Sequence, residues 1–207
     1  MDTRGTHTLV VGVLAKTGGG KGSFVEEMLA CAAENGIRAA KCRFSDIPRA
    51  LCVAEGIPDT RENLQRLVVR LRDTEGKDAL SRRVRALIQE LCAEENRLIL
   101  VDGVRWLADE EMILSFPHAL FVFISASEKD RYARIRNRSE NSGDTAKTWE
   151  AFLAEDNAEP ERMIEDIATR ARVSVRNDGS SVESEQKYRA TLRVLWDSSI
   201  APRLLSL

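Results

Sequence analysis

The clearest chemistry in the chain lies in the run Ala15-Lys16-Thr17-Gly18-Gly19-Gly20-Lys21-Gly22-Ser23. Consecutive glycines let a backbone wrap closely enough to aim its N–H groups at phosphate oxygens. A helix starting directly afterwards adds the positive end of its dipole. Lys21 is then placed to reach β- and γ-phosphates as a point charge, and Ser23 to bind an α-phosphate oxygen or to help order Mg²⁺ and its waters. The run departs twice from the pattern G-x-x-x-x-G-K-[ST]. Ala15 replaces the first glycine, and Gly22 stands where Ser or Thr is usual, with the hydroxyl one place later. The expected ligands are ATP, or a related triphosphate, and Mg²⁺.

A second candidate element is Arg97-Leu98-Ile99-Leu100-Val101-Asp102-Gly103-Val104-Arg105, an apolar strand ending in Asp-Gly. A carboxylate at the C-terminal end of a strand beside the glycine loop can hold Mg²⁺ through water, which makes Asp102 a metal candidate together with Ser23. Arg105, just beyond, would face the same crevice and hold a transferred or accepting phosphate. Further along, Arg131, Arg134 and Arg138 share one face of a helix by their i, i+3, i+7 spacing, and Arg136 points elsewhere. Phosphoryl transfer relies on positioning and charge stabilisation, so arginines able to close over the phosphates are the expected tools. The acid-rich segment that follows, with Glu155, Asp156, Glu159, Glu161, Glu165 and Asp166, offers the same arginines structural partners.

These residues need a frame that brings strand ends and helix starts together. Five runs read as strands, at 8–14, 37–41, 97–102, 119–124 and 172–176, mostly apolar and β-branched as in a parallel sheet covered on both faces. Helical periodicity falls between and after them, at 24–34, 61–72, 80–95, 127–138 and 181–196. Asp59-Thr60-Arg61-Glu62 and Ser127-Glu128-Lys129-Asp130 are helix-start signals, and Gly36 sits where a left-handed cap closes the first helix. The alternation predicts an α/β three-layer sandwich with right-handed crossovers, as one domain over 1–207. Two stretches are too long for simple crossovers, 44–95 and 138–170, and insertions of this kind above a parallel sheet usually serve as covers and lids.

Composition narrows the function classes. With 207 residues, 43% hydrophobic, 31% charged and a net charge of −2, the chain reads as one globular domain. Bulk charge makes no case for a nucleic-acid or membrane-surface protein. No run is long and apolar enough for a membrane helix, and no secretory signal is evident at the start, so the expected setting is the cytoplasm. Cys31, Cys42, Cys52 and Cys92 form no Cys-x-x-Cys pair and read as reduced packing residues. His7 and His118 are too few for a His-rich zinc site or a Ser-His-Asp hydrolase.

Taken together, the motifs resemble those of the nucleoside monophosphate kinase group of P-loop kinases. The likeness is nearest the adenylate-kinase-like and deoxynucleotide-kinase-like branch that shades into dephospho-coenzyme A kinases. Gly-Lys-Gly-Ser is similar to that group's Gly-Lys-Gly-Thr. The likeness runs on through Phe44-Ser45-Asp46 with Arg49, Thr60-Arg61-Glu62-Asn63-Leu64-Gln65, Asp102-Gly103-Val104-Arg105, the arginine helix, and Arg176-Asn177-Asp178-Gly179. It implies a five-stranded parallel sheet with an acceptor-binding insertion at about 44–95 and a lid at about 131–160. It also implies that Ser45, Asp46, Arg49 and Arg61 lie on the acceptor side, and that Asn177 and Gly179 border the donor base. The chain departs from the group in having no proline in the glycine loop, no longer Asp-Gly-aromatic-Pro-Arg form, and no cysteine cluster to staple the lid with zinc. The implied activity is Mg²⁺-dependent transfer of the γ-phosphoryl group of ATP to a small phosphorylated acceptor, a nucleoside or deoxynucleoside monophosphate. The alternatives are dephospho-coenzyme A kinase activity and a nucleotide-binding switch with weak NTPase activity. Oligomeric state and the acceptor's base and sugar are left open.

Overall fold

The computed structural model describes residues 7–138 and 145–207; the side chains of Arg61, Arg138 and Pro160 lie outside the description. Strands β1 (Leu9–Leu14), β2 (Ala39–Arg43), β3 (Leu98–Asp102), β4 (Ala119–Ser125) and β5 (Val173–Arg176) form one sheet in the order β2-β3-β1-β4-β5. Every pairing is parallel. β1 is fully buried along its length. Its neighbours, β3 and β4, run off to opposite sides, so the chain's connections change direction above it. In open α/β sheets that switch point opens a crevice at the carboxyl ends of the strands, where ligands bind.

Alternation along the central strands sorts side chains to two cores. Leu9, Val11 and Val13 face one layer with Leu98, Leu100, Leu120, Val122 and Ile124. That layer is covered by α1 (Lys21–Glu34) and α9 (Val182–Leu195), which contribute Phe24, Met28 and Leu192. Val10 and Leu14 face the other layer with Ile99, Val101 and Phe121. There α4 (Ala79–Ala93), α5 (Leu107–Leu114) and α8 (Glu159–Ala168) supply Val84, Ile88, Ile113, Ile164 and Ile167. The result is the expected three-layer α/β sandwich with a five-stranded parallel sheet. α9 continues through a π-helical turn, Trp196–Ile200, into α10 (Ala201–Leu205), and Trp196 is a core residue, 2% exposed.

The insertion between β2 and β3 is helical throughout, as α2 (Asp46–Glu55), α3 (Arg61–Glu75) and α4. Thr60, one residue after Asp59, caps α3 by accepting from the Asn63 N–H at 3.3 Å. Between α6 (Glu128–Arg138) and β5, α7 (Trp149–Asp156) packs on α6 through ring contacts of Tyr132 with Trp149 and Phe152. β2 starts and ends two residues later than its polar edge sequence suggests, and α2, α5, α7, α8 and α10 are further helices. Gly36 has φ 66° and closes α1 as expected. Among the described residues no helix is long and apolar enough to cross a membrane.

Candidate functional site

β1 leaves the sheet at Leu14 and α1 begins at Lys21, so residues 15–20 turn directly above the central strand. Gly18 and Gly20 hold φ of 79° and 104°, conformations that L side chains rarely adopt. Side chains are excluded there for a second reason. A Cβ on Gly18 would lie 2.6 Å from the Arg131 carbonyl oxygen, and one on Gly20 would lie 2.1 Å from Asn177 Nδ2. Gly20 caps α1, whose first-turn N–H groups have no intrahelical acceptor and point out of the helix start. Lys21 Nζ donates to the Ala15 carbonyl at 2.9 Å, curling back over the loop. A Cβ at Gly22 meets nothing within 4 Å, so packing does not explain that glycine.

Asp102 ends β3 and pairs in register with Val13 of β1, one residue before the loop's approach. Its Oδ1 is buried without a hydrogen-bond partner, the one such side-chain atom among the described residues. An unpaired carboxylate oxygen is costly unless a cation or water completes it. A carboxylate oxygen of this kind suits Mg²⁺, a hard cation that keeps several of its waters. No cluster of three His, Cys, Asp or Glu that would hold a metal by itself occurs among the described residues. Beyond Asp102, Asp109 is 2% exposed and fixes the turn that carries Arg105. It accepts from the Arg105 and Trp106 N–H groups, both at 3.0 Å, and from Ser81 Oγ at 2.7 Å. Burial raises the Asp109 carboxyl against the lowering effect of those donors.

Arg131 and Arg134 both reach the loop from α6. Arg131, 4% exposed, forms a two-point ion pair with Asp156 of α7 and donates to the Thr17 carbonyl at 3.4 Å. Burial raises the Asp156 carboxyl, but Arg131 and Lys16 outweigh it and hold the group below its ordinary value. Arg134 donates to the carbonyls of Gly18 at 3.2 Å, Asn177 at 2.7 Å and Gly179 at 2.5 Å. Asn177, 3% exposed, donates through Nδ2 to the Gly19 carbonyl at 3.0 Å. Arg134 and Asn177 thus brace the glycine loop against the turn after β5, where Gly179 has φ 86°. The side chains of Arg138 and Arg61, both predicted site residues, lie outside the described residues.

The acceptor-side candidates form a looser group. Phe44 donates its N–H to the Asp102 carbonyl at 3.0 Å, which sets Ser45 and Asp46 beside the end of β3. Asp46 accepts from the Arg43 N–H at 2.9 Å, and Ser45 precedes α2 without a side-chain cap bond. Arg49 is exposed and paired with Asp59 on the α2–α3 connection. The structure therefore gathers the loop, Asp102, Arg105, Arg131, Arg134, Asn177 and Gly179, and keeps Arg49 outside that network.

Four residues outside the sequence-based set hold the loop: Asp156, Glu161, Glu165 and Tyr188. Lys16 pairs with Asp156 at 3.4 Å and with Glu165 at 2.6 Å. Glu161 of α8 accepts from both the N–H and the hydroxyl of Thr17, each at 3.1 Å, and pairs with Arg105. Tyr188, buried on α9, donates to the Gly20 carbonyl at 3.4 Å. The acid-rich run 155–166 is the one sequence signal for Asp156, Glu161 and Glu165; nothing in the sequence singles out Tyr188.

No family model matches the chain. In sequence it is similar to a UPF0200 protein of Hyperthermus butylicus, 28% identical over 188 residues that cover 91% of this chain and 95% of that protein. A UPF0200 protein of Thermococcus gammatolerans is 28% identical over 182 residues, covering 87% and 92%. In structure it is similar to shikimate kinase from Bacteroides thetaiotaomicron, with a TM-score of 0.57 at 13% identity over 96% of this chain and 99% of that one. TT1252 from Thermus thermophilus gives 0.55 at 19% identity over 93% and 99%. The APS kinase CysC of Mycobacterium tuberculosis, solved with AMPPNP and APS, gives 0.50 at 12% identity over 91% and 97%. The fold is that of P-loop kinases.

Proposed function

We propose that the chain is a Mg²⁺-dependent phosphotransferase that passes the γ-phosphoryl group of ATP to a small phosphorylated acceptor, a nucleoside or deoxynucleoside monophosphate. The observation that carries this reading is the buried, unpartnered Asp102 Oδ1 standing beside a left-handed glycine loop that opens a helix. A loop alone binds phosphate. A loop with an adjacent carboxylate lacking a partner has a place for the cation that accompanies a triphosphate.

In this reading the N–H groups of residues 16–23 and Lys21 hold the phosphates, and Asn177 and Gly179 border the donor base. Asp102 and Ser23 hold Mg²⁺, which when bound neutralises charge on the phosphate oxygens. Arg105 faces the transferred group from the β3 side. Arg131 and Arg134 act by fixing the loop's shape through its carbonyls, and Arg138 belongs to the same face of α6. Ser45, Asp46, Arg49 and Arg61 serve the acceptor. The setting is the cytoplasm, with no nucleic-acid partner. Docking of α7 on the loop, through Asp156 to Lys16 and Arg131, limits water at the phosphates and so favours transfer over hydrolysis.

The test is ADP release from Mg²⁺-ATP against ribo- and deoxyribonucleoside monophosphates and dephospho-coenzyme A, with Lys21→Ala as control. Stimulation by a monophosphate supports the reading and names the acceptor. Stimulation by dephospho-coenzyme A alone moves the accepting atom from a phosphate oxygen to a hydroxyl. Nucleotide binding through Lys21 with no stimulation by any acceptor replaces the kinase with a nucleotide-dependent switch.

A further inference from the structure

Glu161 makes an unusual contact for a carboxylate. Its side chain is 11% exposed and lies on the inner face of α8, one turn before the core residue Ile164. Both oxygens face the glycine loop. Oε2 accepts from the Thr17 N–H at 3.1 Å, and Oε1 accepts from the Thr17 hydroxyl at 3.1 Å and from Arg105. Burial works to raise this carboxyl, and Arg105, the Thr17 N–H and Lys21 together outweigh it, so it stays ionised below its ordinary 4.5. An anion of this chain thus lies in the field of Lys21, on a loop amide, and against the arginine beyond β3.

Those donors are the kind that a terminal phosphate takes. Loop N–H groups and the loop lysine cradle β- and γ-phosphates, and an arginine at the rim meets the group that moves. Two anions cannot share them without strong repulsion in a partly buried site.

Resting on the kinase reading above, we propose that Glu161 is a resident stand-in for the γ-phosphate, displaced from Thr17 and Arg105 by a triphosphate and restored when a diphosphate remains. Binding of the triphosphate and release of α8 from the loop are then one event. Glu161 sets the preference between the two nucleotides, because the carboxylate competes with the γ-phosphate and leaves the α- and β-phosphate positions alone. Asp156 is not part of the exchange. It holds Arg131 and Lys16, and its attachment keeps α7 in place while α8 lets go.

The experiment measures affinity of the full chain for a non-hydrolysable ATP analogue and for ADP, both with Mg²⁺, in wild type and Glu161→Gln. The glutamine keeps an acceptor for the Thr17 N–H and removes the charge. The expected result is analogue affinity raised by about tenfold or more, with ADP affinity changed by less than about threefold. Equal changes for both nucleotides, or weaker analogue binding, would overturn the proposal while leaving the kinase reading intact. Failure of the wild type to bind either nucleotide overturns both. A second measurement uses the wild type alone. Amide exchange within Glu159–Ala168 should quicken with the analogue and stay slow with ADP, and equal protection by the two ligands sinks the idea.

Discussion

Two ion pairs, one against the glycine loop and one in the insertion between β2 and β3, differ in burial and in what surrounds them. Arg131 and Asp156 keep 4% and 2% of their side chains exposed, and Arg131 also reaches the Thr17 carbonyl and the Phe152 ring. Arg49 and Asp59, in the insertion between β2 and β3, keep 45% and 59% exposed. The first pair belongs to a network in which α6, α7, α8 and the turn after β5 all touch the loop. The second joins two helices at the surface. A phosphate-binding loop must be rigid before its ligand arrives, because amides aimed in advance lose little on binding. The insertion makes no such contact with the loop through Arg49 and Asp59, and these polar groups remain solvated. The comparison separates a braced loop from a solvated insertion, which on the proposed function are the donor and acceptor sides.

Loss of Lys21 is the largest effect expected on the braced loop. Lys21→Ala should lower acceptor-dependent ADP release by about 10³-fold, as removal of a preorganised charge on transferring phosphate does. The lysine packs against the loop and not into either core, so the thermal midpoint should shift by less than about 3 °C. Parallel turnover and melting measurements check this. A large melting shift would mean that Lys21 holds the loop together before any nucleotide binds.

Next comes the buried pair. Arg131→Ala leaves the Asp156 carboxylate buried with only Lys16 beside it, and should cost about 3–5 kcal/mol in urea unfolding. The double variant Arg131→Met with Asp156→Leu should recover most of that, because no stranded charge remains. If the double variant is as unstable as the single, the loop contacts of Arg131 matter more than its ion pair.

Acid should loosen this side first. The Glu161 and Asp156 carboxyls are both held below their ordinary values, 4.5 and 3.8, by the cations they face. Their contribution to stability is complete above those values and is lost as pH falls through the lower folded-state ones. Asp109 runs the other way, since burial raises it, and its contribution declines as pH rises through its ordinary 3.8 and beyond. Wild-type stability should therefore fall below about pH 4.5. The slope should be shallower in Glu161→Gln, which has one fewer depressed carboxyl to protonate. Equal slopes in urea titrations from pH 7 to pH 3 would count against the Glu161 contact.

The same divide marks what the sequence made legible. The loop, the strand before it and the helix after it are local signals, since glycine spacing and one lysine carry them within a dozen residues. Asp102 is equally local, as the last residue of an apolar strand. Glu161 lies 144 positions from Thr17, and no spacing rule joins them; only its membership in an acidic run pointed to pairing with basic partners. α5 escaped because Leu107–Leu114 is 8 residues with no clear apolar stripe. β2 lies two residues beyond the run its sequence suggests, because Lys41 and Arg43 are exposed on an edge strand, where polar residues blur the boundary. Asn177 was legible as a turn residue, but its grip on Gly19 requires the sheet order that sets β5 beside β4.

Arg49 gives the smallest effect and the sharpest contrast. Arg49→Ala removes an exposed ion pair, and exposed pairs contribute about 0–1 kcal/mol, so unfolding should barely change. If the insertion is the acceptor's side of the crevice, the same variant should raise KM for the acceptor and leave KM for ATP unaltered. Asp59→Asn frees the Arg49 guanidinium from its partner and should move acceptor KM the opposite way. Matching shifts in the two variants would mean that the pair only orients α2 against α3. Opposite shifts would show that Asp59 holds Arg49 in reserve on the surface, as Glu161 is proposed to hold Arg105 beside the loop.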